Sequence, residues 1–311
     1  MGGGGRLSRG RRPKSGRKLT LLAAAVALWN AEVEIPVETG IEDTCPLEDR
    51  VSERKVFVWR RRSDTSRACC PAGCSGSVAR RAKPLLCGGE STLVRVSGRI
   101  LAMGSHSRVF EDAILELAGT RVCFLPTASG DELWQLVRFY ESFARRAEAS
   151  HVSFNPWPRM DLREHVLAQD AVYVSGGNTA NALAIWRAHG FDQVLREAWE
   201  RGILLCGWSA GMICWFEAGV TDSFGPQLEG MHDGLAFLPG SACPHYDGEE
   251  RRRPIYRELV DGGFPAGYAA DDAAALHFVG TELHEVVAAA EAARAYRVEP
   301  GSETPIQPRL L

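Results

Sequence analysis

The stretch Ile203-Leu204-Leu205-Cys206-Gly207-Trp208-Ser209-Ala210-Gly211 decides how this chain is read. A short apolar run ends in the pattern G-x-S-x-G. Met212-Ile213-Cys214-Trp215-Phe216-Glu217 then continues with helix-compatible residues. The order is strand, sharp turn, helix, and at such a turn a serine is held in a strained conformation with its hydroxyl exposed. Gly207 and Gly211 suit the close approach of strand and helix, where a side chain would crowd. The helix that follows points its N-terminus at the serine and favours negative charge developing there. Ser209 is therefore the candidate nucleophile.

A serine hydroxyl needs a base. Of the eight histidines, His106 and His151 lie far upstream. His165 falls in a charged helical stretch and His189 at a helix end before Gly190. His277 and His284 fall in alternating apolar patterns that read as strands with half-buried structural histidines. His245, in Leu238-Pro239-Gly240-Ser241-Ala242-Cys243-Pro244-His245-Tyr246-Asp247, stands in a loop stiffened by proline and is the candidate base, with His232 as its rival. The third member is sought between Ser209 and His245, where Glu217, Asp222, Glu229 and Asp233 are available. Asp222, in a turn-rich loop, is preferred as the carboxylate that fixes the imidazole tautomer. Glu217 is expected about two turns along the nucleophile helix, pointing away. The order Ser…Asp…His is that of α/β-hydrolases, but 36 residues from serine to histidine leave little room for that fold's further strand–helix units.

Gly207-Trp208-Ser209-Ala210-Gly211, followed by Cys243-Pro244-His245-Tyr246-Asp247, resembles the dipeptidase E and cyanophycinase family of serine peptidases. Phe124-Leu125-Pro126-Thr127-Ala128-Ser129-Gly130-Asp131 is similar to the family's first βα turn, and Tyr173-Val174-Ser175-Gly176-Gly177-Asn178-Thr179 to its glycine-rich loop. The resemblance covers residues 98–311. It implies an α/β fold with a mostly parallel sheet flanked by helices, of flavodoxin-like or class I glutamine amidotransferase-like type. It implies Ser209 as nucleophile, His245 as base, Asp222 as acid, and an oxyanion hole from the N–H groups of Gly177 and Ala210. Asn178 and Thr179 are expected to bind substrate. It further implies small peptides or a special amide polymer as substrate, often with an acidic residue at the cleaved position. No cofactor and no metal are expected. A homodimer is left open, and neither nucleic acid nor membrane is expected as a partner. One departure stands out: where the family carries a run of glycines after its first strand, this chain reads Met103-Gly104-Ser105-His106-Ser107. That departure keeps open a catalytically silent ligand-binding protein of the same fold, and an esterase or acyl-transfer enzyme with the same triad is a further alternative.

The flanking segments support the fold without the family. Arg121–Pro126 and Asp170–Val174 read as buried strands. Leu133, Leu136, Val137, Tyr140 and Phe143 recur at helical spacing, and Asn181–Trp186 and Val194–Trp199 read as helices. Strands alternating with helices argue for a sheet covered on both faces, with ligands at the carboxyl ends of its strands. Residues 273–287 read as a hairpin around Gly280-Thr281, Ala295–Val298 as a last strand, and the tail from Glu299 as a loose end. The Gly176-Gly177 loop lacks the lysine of a phosphate-binding P-loop. Arg251-Arg252-Arg253 reads as a solvated helix start rather than a carboxylate clamp.

The first 97 residues are different material. They hold 18 Lys and Arg against 10 Asp and Glu, whereas the remainder holds 18 against 29, within a net charge of −3 over 311 residues. Their composition is that of a disordered basic extension. The apolar run Leu19–Trp29 is too short to span a bilayer and lacks a small-residue cleavage site, so a cytoplasmic protein is expected. Cys69-Cys70-Pro71-Ala72-Gly73-Cys74 does not have paired metal-knuckle spacing. The catalytic part is read as one domain over 98–311.

Overall fold

The computed structural model describes residues 98–311. The basic leader, its Leu19–Trp29 run and its cysteine cluster lie outside the described residues.

The chain opens with five strands that become neighbours in one sheet: β1 (Arg99–Met103), β2 (Arg121–Leu125), β3 (Glu148–His151), β4 (Ala171–Val174) and β5 (Leu204–Trp208). They pair parallel in the order β1-β5-β4-β2-β3. Parallel strands need crossovers, and the helices α1 (Arg108–Ala118), α2 (Leu133–Phe143), α3 (Leu162–Leu167), α4 (Thr179–Ala188) and α5 (Phe191–Glu200) supply them. Their starts are legible: Ser107, Asp161 and Asn178 cap α1, α3 and α4 by accepting backbone N–H bonds.

Apart from the polar edge strand β3, the strands are buried on both faces, so their apolar residues run continuously, as parallel sheets require. Alternate residues divide between two cores. Leu101, Met103, Phe124, Tyr173 and Cys206 pack with Phe110 and Ile114 of α1 and Phe139 and Phe143 of α2. Ile100, Ala102, Leu125, Val172 and Leu205 pack on the other face with Leu183 and Trp186 of α4 and Leu195 of α5.

After β5 comes one helical turn, α6 (Ala210–Ile213), and then a second sheet begins with β6 (Phe216–Thr221), β7 (Glu229–Met231), β8 (Leu238–Cys243) and, after α7 (Arg252–Asp261), β9 (Gly267–Ala270). β8 lies parallel between β6 and β9. The chain returns to the first sheet as β10 (Ala274–Val279) and β11 (Glu282–Ala288), a hairpin antiparallel to β1. β12 (Ala295–Glu299) and β13 (Ser302–Ile306) complete the second sheet, and β14 (Arg309–Leu310) ends on the edge of the first.

Three local expectations are corrected here. The nucleophile helix is one turn long, because Phe216-Glu217-Ala218-Gly219-Val220-Thr221 is a strand that pairs with β7 and β8 and buries every residue but Glu217. Glu217 is therefore on β6, where its Oε2 accepts from Gly240 N at 3.0 Å. The segment from Glu299 is not loose: it pairs residue by residue with β12 and then adds an edge strand beside β11.

Candidate active site

β5 delivers Ser209 at the carboxyl edge of the first sheet. The serine has φ +57° and ψ −113°, a conformation that a residue with a Cβ keeps only where its surroundings impose it. Three hydrogen bonds impose it. Ser209 N donates to Met103 O at 3.2 Å, and Ser209 O accepts from Met212 N at 2.8 Å and Ile213 N at 3.1 Å. The two motif glycines allow the turn to sit this deep. A Cβ on Gly207 would fall 2.8 Å from Val174 O, and one on Gly211 would fall 2.6 Å from the same carbonyl.

The Gly176-Gly177 loop lies against this turn. A Cβ on Gly176 would stand 3.2 Å from Ser209 Cβ and 2.7 Å from Trp208 Nε1. Gly177 has φ +132°, and its Cα presses on the preceding loop so closely that a Cβ would reach 2.2 Å from Ala128 O. Asn178 N donates to the same carbonyl at 2.7 Å, which locks the two loops together. Ala210 is the first residue of α6, so its N–H has no intrahelical acceptor. With only one turn behind it, that N–H acts as a single donor rather than as the end of a macrodipole.

His245 arrives from the second sheet. β8 and β9 are parallel neighbours with Cys243 opposite Ala269, so their ends emerge together. The two loops beyond them are joined: Tyr246 N donates to Ala270 O at 3.0 Å, and Asp272 N donates to Asp247 Oδ1 at 2.8 Å. Between these bonds His245, itself at φ +55°, donates from Nδ1 to Asp272 Oδ1 at 2.6 Å. The imidazole's Nε2 is thereby left as the basic nitrogen. The loop that carries Asp272 meets the end of β1, the neighbour of the nucleophile strand β5, at Gly104. Gly104 N donates to Ala274 O at 2.9 Å, and a Cβ on Gly104 would fall 2.1 Å from Asp271 O. Gly104 directly follows Met103, whose carbonyl holds Ser209 N. Among the described residues Ser209 Oγ makes no hydrogen bond, and free enzymes often tighten such contacts only around substrate.

The sequence model of Peptidase family S51 matches residues 93–286, well over half of the chain. The chain belongs to peptidase family S51. It is 51% identical, over 180 residues, to the protein named uncharacterized peptidase YgaJ of Bacillus subtilis (strain 168), covering 57% of this chain and 77% of that one. The fold of this S51 peptidase is similar to a solved peptidase from an acI-B1 Actinobacterium, at TM-score 0.52 and 19% identity, over 69% of this chain and 96% of that one.

Within this S51 peptidase, the Gly176-Gly177 loop meets the Ser209 turn through Gly176, Ala210 follows Ser209 as the first residue of α6, and His245 stands in a positioned loop. The carboxylate on His245 is Asp272, not the expected Asp222. Asp222 is exposed at the end of β6, in a loop tied to α4 by bonds of Asn178 Nδ2 to Ser223 O and of Ala180 N to Ser223 Oγ. Asn178 caps α4 and holds that loop, so its polar atoms are already engaged. Thr179 is buried, with no hydrogen-bond partner for its hydroxyl among the described residues. His232 packs its ring on Phe264. His106, where a glycine run was expected, lays its ring edge-on against Trp208 at 5.3 Å and binds the buried Glu111 through Nε2 at 2.9 Å. Of the arginine run, Arg252 is buried against Glu249 and Val220 O, and Arg253 pairs with Glu303 over Tyr246 and Tyr296. Arg251 and Arg253 are thus exposed at the start of α7, as a solvated helix start requires, whereas Arg252 is buried, and none of the three is a free carboxylate clamp.

Asp272 lies beyond His245 in the chain, outside the Ser209–His245 interval to which the order Ser…Asp…His confines the acid. The signal was present: Asp271-Asp272 closes the short apolar run Gly267–Ala270 just before the β10 strand.

Proposed function

We propose that this chain is a serine peptidase for small peptides in which Ser209 is the nucleophile, His245 the general base and Asp272 the carboxylate that orients it. Ser209 Oγ attacks the scissile carbonyl carbon while its proton passes to His245 Nε2. The oxyanion of the tetrahedral intermediate accepts from Gly177 N–H and Ala210 N–H. On collapse the C–N bond breaks, and His245 gives the proton to the departing amine. A water then attacks the acyl-serine, losing its proton to His245. The acid product leaves, and Ser209 Oγ takes the proton back. Asp272 accepts the Nδ1 hydrogen bond throughout and balances the imidazolium charge.

The observation that carries this reading is the backbone of Ser209 at φ +57°, the strained strand-to-helix turn that a nucleophile elbow requires. The preference for an acidic residue at the cleaved position comes from the dipeptidase E resemblance alone. Cys123, Cys206, Cys214 and Cys243 are free and buried, which supports a reducing, cytoplasmic setting. No helix among the described residues is long and apolar enough to cross a membrane.

The test is labelling of the full-length chain with a fluorophosphonate, beside Ser209→Ala. Labelling of the parent that vanishes in the variant is expected, followed by turnover in a panel of aspartyl and other dipeptides. Turnover of esters without peptides would give the acyl-transfer alternative. An unlabelled, folded parent would refute the activated serine.

A further inference from the structure

A second chemical site lies away from Ser209, on the β10–β11 hairpin. Strand alternation should place His284 and Glu285 on opposite faces. A bulge prevents this: His277 pairs with Glu285 and Phe278 with Leu283, leaving His284 as the extra residue. Bulges re-aim side chains in this way. His277, His284 and Glu285 consequently offer one ligand atom each, all within 4.8 Å of one another. His277 Nδ1 is 3.7 Å from Glu285 Oε1, and the two imidazole rings meet nearly at right angles at 5.4 Å.

A separate observation points to a ligand. The His277 side chain is 6% exposed, yet among the described residues neither of its ring nitrogens makes a hydrogen bond, Nδ1 having only the 3.7 Å approach of Glu285. Buried polar groups are ordinarily satisfied, and an imidazole with both nitrogens unpaired is an exception that needs a reason. His277 and Glu285 also line a cavity of about 260 Å³ together with Glu116 and Arg309, while His284 stands exposed outside that lining.

We propose that His277, His284 and Glu285 bind one divalent transition-metal ion of the zinc type. Two imidazoles and a carboxylate with an open fourth position are a common donor set for zinc. Bonds of about 2.1 Å in a tetrahedron separate ligand atoms by about 3.4 Å. His277 Nδ1 and Glu285 Oε1, at 3.7 Å, already stand near that value, and His284 is exposed and so free to turn toward them. Arg309 holds both Glu285 oxygens, at 2.9 and 3.1 Å. A carboxylate has lone pairs for a metal and a guanidinium together, so Arg309 becomes the outer partner of a ligating Glu285, at some loss of affinity from its charge. The ion ties β10 to β11, and β10 begins just after Asp272.

The experiment is calorimetric titration of the full-length chain with zinc chloride, with thermal melts alongside, on the parent, His284→Ala and Arg309→Ala. The expected results are one zinc per chain, a higher melting temperature with zinc, binding at least about tenfold weaker in His284→Ala, and binding retained in Arg309→Ala. His284 is exposed, so its variant should melt like the parent without metal. Absence of binding by the parent would overturn the proposal. So would equal binding by His284→Ala, which would put the zinc elsewhere in the chain.

Discussion

Replacing Asp272 by asparagine separates the two carboxylates that compete for the role of acid. The 2.6 Å bond from His245 Nδ1 ends on an ionised oxygen and becomes fully charge-assisted when the imidazole takes the serine proton. Hydrogen bonds to charged groups contribute about 1.5–3 kcal/mol, or about ten- to a hundredfold in rate at about 1.4 kcal/mol per tenfold. The amide can also present its NH2 to Nδ1 and select the wrong tautomer, which in a fully buried triad lowers kcat by about 10⁴. Asp272 is 44% exposed, so water replaces part of what the carboxylate supplies. The expected loss in kcat for Asp272→Asn is therefore about 10²–10³, with KM little changed. Asp222→Asn, at an exposed position, should stay within about threefold of the parent. The assay is kcat on the best dipeptide of the panel, with the fluorophosphonate labelling rate as a substrate-independent measure. A near-normal Asp272→Asn beside a crippled Asp222→Asn would refute the assignment.

Three further outcomes follow from the same geometry. Gly104→Ala forces a methyl onto Asp271 O and should destabilise the fold by about 1–3 kcal/mol, lowering the melting temperature by about 2–12 °C; an unchanged melt would show that the two loops are not in this contact. Gly177→Ala should lower kcat by about 10²–10³ by displacing an oxyanion donor, and a variant as fast as the parent would remove Gly177 from the hole. Asp271 is raised from 3.8 to about 6, chiefly by burial. The folded state therefore holds this proton more tightly than the unfolded chain, and stability falls as pH rises from about 4 to about 6. Asp271→Asn can still accept from Arg294 N and removes the buried charge. It should melt higher than the parent at pH 8, with the advantage gone near pH 4, and denaturation at the two pH values measures the difference.

The legible parts of this molecule are those governed by short-range patterns. Gly207-Trp208-Ser209-Ala210-Gly211 announces the turn because only that spacing of glycines lets Ser209 sit under Val174, and the crossover helices show in their caps and apolar stripes. What stayed hidden depends on pairing between distant segments. Nothing local to Phe216–Thr221 distinguishes a second sheet from a longer helix, and nothing local to the tail shows that Ser302–Ile306 finds β12. Asp272 belongs to this second kind. Its role comes from β8 and β9 being parallel neighbours, so that His245 and Asp272, 27 residues apart, leave one sheet edge together. The same geometry explains why a single glycine survives after β1. In this chain the close approach is needed at Gly104, against the carbonyl of Asp271, whereas at position 106 the side chain has room and fills it, with an imidazole wedged between Trp208 and the buried Glu111. A side chain is excluded at Gly104, where the end of β1 presses on the acid loop, and accommodated at His106, which is why glycine is required at the first position and not at the second.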